Sequence, residues 1–538
     1  MQVRSPEQNA QYSYLGNIDK GVVEMKPVEF WNTQTLAVTP DIRSRCDLKY
    51  LETRLLEKHP REEPRVVSVK VNETGSYQNP LARAFIEMFA SGFNMEGLPP
   101  YVEVQLEHKT PGGHIAHIII WSPVAWNDRF LGTGGGAAST GGLASMNRAE
   151  DTSRGMTVPN AVYNGFTAAT TDAGNVSLMH DWALDPVTNT LDWERIENWR
   201  ARGTHWMTVL AKDVAEILHQ RRVRYAYFHG ASGGGRQAMV EAQEYPEDYN
   251  GIWASSPAIN WTKALLSGLW PIAVMNSYRH NLSPAKLEAF RLAVHESVGG
   301  SEVYYRLKER VKFNPKIIVG KVTEYGPITQ QDAAIMGEIW DGPRRANGER
   351  LWYSFRPGGL FWNAQGSPAT AFYYEAGSSQ PLVFPFYARW VEQDAVRDFL
   401  DITKVEFETL IDKSVTLFSK CAGDSIALNP FAQGRGKLMI DHGTDDPLIP
   451  VEGTLEYYNR LRQTFGGIDA VKEFCQLYLN PGDGHAGCTW HGPGLMESVG
   501  MRALIDWVEH SLIPQKLRGV QTDSATGKLV SEQELEPM

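Results

Sequence analysis

Ser232 stands at the centre of Gly230-Ala231-Ser232-Gly233-Gly234, between an apolar run from Tyr225 to Phe228 and a segment from Arg236 that reads as a helix ending near Pro246. A serine on a sharp strand-to-helix turn projects its hydroxyl clear of the backbone, and the strained conformation of such a turn requires small neighbours. A hydroxyl alone is a weak nucleophile, so this chemistry needs a base within hydrogen-bond reach and a third group to orient the base. Asp446, in HGTDDPLIP, and His485, in NPGDGHAGCTWHG, meet that need, because each lies in a loop after an apolar, strand-like run. Asp445 and Asp441 are the alternative acids, but Asp441 ends its run and Asp445 can cap the following turn. Among the other histidines, His491 reads as a helix start, and His229 and His442 as structural strand-end residues. A tetrahedral oxyanion needs two preorganised amides. Gly233 supplies one, and the loop Gly132-Thr-Gly-Gly-Gly136 supplies the other through Gly135 or Gly136. That loop lacks a following Lys-Ser/Thr and a GxGxxG helix start, which argues against a phosphate-binding role.

The surrounding pattern supplies elements that can hold these groups. Val102, Val104 and Leu106 alternate with polar residues, Lys109-Thr-Pro-Gly-Gly113 is turn chemistry, and Ile115 to Trp121 returns as a second strand. Trp206, Val209, Leu210, Val214, Ile217 and Leu218 share one face of a helix over His205 to Arg221. Gly436 to Asp441 reads as a buried strand, Leu455 to Phe465 as a helix, Phe474 to Leu479 as a strand, and Gly494 to His510 as a closing helix. A nucleophile, acid and histidine in that chain order, each after a core strand, are the arrangement of an α/β-hydrolase. The 214 residues between Ser232 and Asp446 far exceed one or two βα units and imply a large inserted lid. The expected fold class is therefore α/β: an α/β-hydrolase fold with a large inserted lid domain. Its expected division is an N-terminal wrapping segment over 1–60, with a helix at Leu48 to Leu56; a catalytic domain over 61–262 and 435–512; a lid over 263–434; and a polar tail over 513–538. Between Trp352 and Trp390, 12 of 39 residues are aromatic, so the lid has material both for a core of its own and for ligand contact. Trp352, Phe361, Trp362 and Tyr373 are its candidate substrate contacts.

Composition narrows the classes. Hydrophobic residues make up 42% and charged residues 21% of 538, which suits a globular chain rather than a disordered one. A net charge of −11 argues against a general nucleic-acid surface, and no apolar run is long enough to span a membrane. The start, MQVRSPEQNAQYSYLG, has no apolar signal region, and four cysteines without metal-site spacing suit a reducing compartment, so the expected location is cytoplasmic unless a leader has been removed. The expected partner is a small-molecule ester, with no cofactor and no metal. Oligomeric state is left open.

WNDRFLGTGGG, FTAATTDAG, GASGGGRQAMVEAQEYPEDYNGIWASSPA, FAQGRGKLMIDHGTDDPLIP and PGDGHAGC resemble, in order, the blocks of the tannase and feruloyl esterase family of α/β-hydrolases, over about residues 98 to 510. The resemblance implies that Ser232, Asp446 and His485 hold the triad positions and that the substrate is an ester of an aromatic acid such as gallate, ferulate or terephthalate. Departures are equally specific. The family joins a Cys before the nucleophile to one after the catalytic His, where this chain has Ala231 and Ala486, and Cys488 lies two residues too far along. Cys46 remains, but Val102 occupies the place of its usual partner. The family's Asp-rich calcium loop is replaced by AVHESVGGSEVYYRLKERV, Ala293 to Val311, so no calcium is expected there. The segments Asp341 to Gly348 and Phe355 to Gly359 still resemble the family's lid.

Overall fold

The computed structural model describes residues 23–25, 29–32, 36–79, 93–141, 157–175, 182–359, 385–485, 492–522 and 529–538. The central sheet is built from β1 (Arg65–Asn72), β2 (Tyr101–Lys109), β3 (Ile115–Pro123), β4 (Arg129–Thr133), β5 (Thr167–Thr171), β6 (Tyr225–Ala231), β7 (Gly251–Ser255), β8 (Lys437–Gly443) and β9 (Cys475–Asn480). Its spatial order is β9-β8-β7-β6-β4-β5-β3-β2-β1. The strands from β9 to β5 are parallel, and β3, β2 and β1 follow antiparallel. The parallel strands are covered on both faces and accordingly read as continuous apolar runs, with Phe228, Ile252, Leu438, Ile440 and Leu477 fully buried. The β2–β3 hairpin alternates as its sequence implies, and its turn closes through Thr110 N–H to His114 O and Gly113 N–H to Thr110 O, both 2.8 Å. From β4 the chain crosses to β5 on one side, and from β6 it crosses to β7 on the other. The β4–β6 boundary is thus a topological switch point, where the carboxyl ends of neighbouring strands open a crevice.

Helices fill the two faces. α1 (Leu48–Lys58) is capped by Asp47, which accepts Tyr50 N–H at 2.8 Å, and buries Leu51 and Leu55. α2 (Gly203–His219) buries Met207, Leu210, Val214, Ile217 and Leu218, and stops where Gln220 turns left-handed at φ 53°. α3 (Gly233–Glu244) leaves the β6 turn directly, so its first three helical positions are glycine.

Residues 256–436 are inserted between β7 and β8. They carry α4 (Trp270–Tyr278), α5 (Pro284–Ser297), α6 (Gln330–Asp341), α7 (Pro385–Glu392) and α8 (Lys404–Phe418), around a core that includes Leu266, Ile335, Ile339, Phe407 and Leu410. Thr329 with Asp332 and Thr403 with Glu406 form capping boxes that start α6 and α8. Arg236 of α3 brings the segment before α2 and the insertion together: its fully buried guanidinium lies 3.9 Å from the Trp199 ring centre and 5.6 Å from that of Trp261. It donates to the carbonyls of Trp199 and Arg200, 3.2 Å each. A desolvated cation over indole contributes on the order of 2 kcal/mol.

Three segments differ from the sequence expectation. α9 (Val451–Thr464) begins four residues early, after Pro450, and α10 begins at Glu497, because Gly494–Leu495 pairs as a short strand with Gly519 and Val520. The expected polar tail forms an antiparallel hairpin, Leu517–Thr522 with Leu529–Leu535, and Met538 N–H reaches Leu477 O on the outermost strand at 2.9 Å. Among the described residues no helix is long and apolar enough to cross a membrane, and Cys46, Cys421 and Cys475 are free thiols.

Glu241 on α3 is buried with neither carboxylate oxygen hydrogen-bonded among the described residues. Burial pushes its carboxyl well above the ordinary carboxylate range, the Asp248 carboxylate adds to this, and Lys212 opposes it. The folded chain therefore keeps a proton that the unfolded chain releases, so stability declines as pH rises above the ordinary carboxylate range. Glu241→Gln is expected to raise the melting temperature at about pH 8 by more than at about pH 4. A variant that melts below its parent at the higher pH contradicts this.

Candidate active site

Ser232 follows β6 without an intervening residue and has φ 61°, ψ −120°. This conformation costs about 1–3 kcal/mol for a residue with a side chain and must be held from outside. Ser232 N–H donates to Ser255 O at 3.0 Å, and Ser232 O accepts Ala258 N–H at 2.9 Å and Arg236 N–H at 3.0 Å, so β7 and α3 both clamp it. The flanking glycines answer to contact. A Cβ on Gly230 would lie 2.3 Å from Gly234 O, one on Gly234 2.5 Å from Gly135 O, and one on Gly233 2.2 Å from Ala137 O.

The glycine loop after β4 lies against the start of α3. Gly134 N–H extends the ladder to His229 O, and Gly234 N–H donates to Gly135 O, both at 3.0 Å. Gly135 requires a correction to the sequence reading, which made it an oxyanion donor. Its N–H is already given to Gln237 Oε1 at 2.9 Å, and Gln237 Nε2 continues to Thr140 O and Thr204 Oγ1. Gly135 therefore holds the loop in place. The amides of Gly136 and Gly233 have no acceptor among the described residues. Ala137, unremarked in the sequence, takes φ 49° and so turns its peptide onto Gly233.

Asp446 follows β8 by three residues and His485 follows β9 by five, at the same end of the sheet as Ser232. His485 Nδ1 lies 2.7 Å from Asp446 Oδ2. Since a carboxylate only accepts, Nδ1 carries the hydrogen and Nε2 presents its lone pair. The Ser232 hydroxyl and the His485 ring are not hydrogen-bonded to each other in this structure. Asp446 is fully buried, with Oδ1 accepting the amides of Leu448 at 2.8 Å and Ile449 at 2.9 Å. Burial pushes its carboxyl up, but His485, His442 and their hydrogen bonds outweigh this and hold it well below the usual carboxylate range.

The competing acids have other occupations. Asp441 accepts Trp253 Nε1–H at 2.8 Å, Asn480 Nδ2–H at 2.7 Å and the Ser255 hydroxyl, which makes it a cross-strand tie between β7, β8 and β9. Asp445 turns away from His485 toward the insertion, where Tyr304 O–H donates to its Oδ1 at 3.2 Å. Burial pushes its carboxyl up to about 7, with Arg356 and Tyr304 opposing and the Asp483 charge adding. His229 is buried against the Trp253 ring, consistent with a structural place.

Of the expected substrate contacts, Trp352 is buried in the insertion's core, against the position of Gly453 and with Lys263 Nζ 5.6 Å from its ring centre. Phe361, Trp362 and Tyr373 lie outside the described residues, as do Ala486, Cys488 and His491.

The strand order, the insertion after β7 and the serine turn at the switch point define an α/β-hydrolase. A family model described as tannase and feruloyl esterase matches residues 106–535. A probable feruloyl esterase from Arthroderma benhamiae is 30% identical over 443 residues, 79% of each chain. The tannase of Aspergillus oryzae is 23% identical over 466 residues, 73% of this chain and 75% of that protein. The solved structure of a tannin acyl hydrolase from Aspergillus niger has a TM-score of 0.71 at 19% identity, covering 91% of this chain and 92% of that one, and that of feruloyl esterase B from Aspergillus oryzae has 0.70 at 17%, covering 90% and 95%. The chain belongs to the tannase and feruloyl esterase family and is a carboxylic ester hydrolase.

The opposite settings of the adjacent aspartates give a direct test. Asp446→Asn is expected to lower kcat by about 10⁴-fold, and Asp445→Asn by less than about tenfold, in steady-state ester hydrolysis. The reverse ranking would assign the orienting role to Asp445.

Proposed function

We propose that this esterase hydrolyses esters of aromatic carboxylic acids through an acyl-enzyme on Ser232. The reading is carried by the Asp446–His485 pair at 2.7 Å, with Nε2 turned outward on the sheet end where Ser232 is held in strain. The Ser232 Oγ–H proton passes to His485 Nε2 as Oγ bonds to the substrate carbonyl carbon, and the imidazolium so formed is stabilised by Asp446. Negative charge on the former carbonyl oxygen is received by the amides of Gly233 and Gly136. The ester C–O bond then breaks, and His485 delivers its proton to the departing alcohol oxygen. Water repeats the sequence: its proton goes to Nε2, its oxygen bonds to the acyl carbon, and the proton returns to Ser232 Oγ as the acid leaves. The lid expected over 263–434, inserted between β7 and β8, would complete the acyl pocket. Support for an aromatic acyl group comes from the relatives described as feruloyl esterases and tannase and from the aromatic-rich segment from Trp352 to Trp390.

Ser232→Ala is expected to abolish both turnover and labelling by a fluorophosphonate while leaving the melting temperature close to that of the parent. Labelling that persists at another serine would remove Ser232 from the reaction. In a panel of methyl ferulate, methyl gallate, a terephthalate monoester and a simple aliphatic methyl ester, an aromatic ester is expected to have the highest kcat/KM. Preference for the aliphatic ester would overturn the acyl specificity.

A further inference from the structure

We infer that His442 is a positioning residue for the reaction, a second imidazole on the acid that sets both the orientation of Asp446 and the charge it presents to His485; this rests on the triad reading above. His442 is the penultimate residue of β8, and its side chain is wholly buried. Its Nε2 lies 3.1 Å from Asp446 Oδ2 and 3.1 Å from Ile449 O. Both of those atoms are acceptors, so Nε2 carries the hydrogen and Nδ1 the lone pair. The Thr454 hydroxyl of α9, 2.9 Å from Nδ1, is then the donor that fixes this tautomer. The carboxylate of Asp446 thereby meets four donors: two amides at Oδ1 and two imidazoles at Oδ2.

Sharing Oδ2 has two consequences. The carboxylate plane is fixed from the β8 side independently of His485, so the acid is preorganised before the base engages substrate. His442 also draws charge from the oxygen that faces His485, so that oxygen is shared between two imidazoles. Among the other carboxyls at this end of the sheet, the charge of Asp483, two residues before His485, acts on Asp445. Asp441 points to Trp253, Ser255 and Asn480, Asp445 points to Tyr304, and the neighbours of His442 on β9 and α9, Leu479 and Thr454, are uncharged.

The test is the pH profile of kcat/KM for p-nitrophenyl acetate. His442→Leu removes a donor from Oδ2 and leaves more negative charge facing His485, which favours its protonated form. The acid limb should therefore move to higher pH, with kcat about 10- to 100-fold lower and KM within about threefold of the parent. In His442→Gln the amide nitrogen returns a donor toward Oδ2, so most of kcat and the parental limb should be recovered. If the leucine variant does not fold, Thr454→Val, which frees the tautomer, should move the limb in the same direction by a smaller amount. Folded variants with an unmoved limb, or a glutamine variant no better than the leucine one, overturn the inference. Ser232→Ala and Asp446→Asn run alongside: turnover retained in either would instead overturn the triad reading.

Discussion

Two stretches of backbone touch with no side chain between them, and the site depends on that contact. The loop at Gly134–Ala137 and the first turn of α3 approach so closely that a Cβ on Gly233 would lie 2.2 Å from Ala137 O and one on Gly234 2.5 Å from Gly135 O. The contact fixes how α3 leaves β6, and hence where the Ser232 side chain and the Gly233 amide point. Strain at Ser232 is then balanced by bonds to Ser255 and Ala258 together with the Arg236 amide of α3. A parallel sheet makes this feasible, because β4 and β6 are neighbours in space although residues 134–224 lie between them in sequence.

Electrostatics at the neighbouring loop follow from donor supply rather than from burial. Asp445 and Asp446 are adjacent and both buried, yet one carboxyl is pushed up to about 7 and the other held far down. Asp446 has four hydrogen-bond donors. Asp445 has the Tyr304 hydroxyl at Oδ1 and no partner at Oδ2 among the described residues. A buried carboxylate with enough donors remains charged, and one without them favours the proton.

Local pattern made much of this legible. The glycine-flanked Ser232, the alternation in β2 and β3, the one-sided face of α2 and the loops after β8 and β9 are all written in consecutive residues, and the structure places each where that pattern implies. Long-range partners are not written there. Gly135 looks like a free amide until Gln237, 102 residues on, is seen to occupy it. His442 looks like an ordinary strand-end residue because its function depends on a side chain four residues later folding back and on Thr454 from α9. The segment at 517–535 looks like a tail because its strands pair mainly with each other, and their alternation is mostly polar.

Among the contacts that join the insertion to the loops after β8 and β9, three side-chain contacts stand out. Tyr304 bonds to Asp445 beside Asp446, Tyr305 packs where a Cβ on Gly482 would stand, within the loop leading to His485, and Arg356 donates to Glu452 at 2.9 Å in the first turn of α9. Each contact pairs a residue before position 360 with one after 440, across the re-entry of the chain into the sheet. A recombination crossover between relatives placed anywhere in that interval would separate all three pairs at once. Chimeras that keep the insertion with the sequence from β8 onward preserve them, so the heritable unit that carries a new specificity is larger than the cap that would contact the substrate.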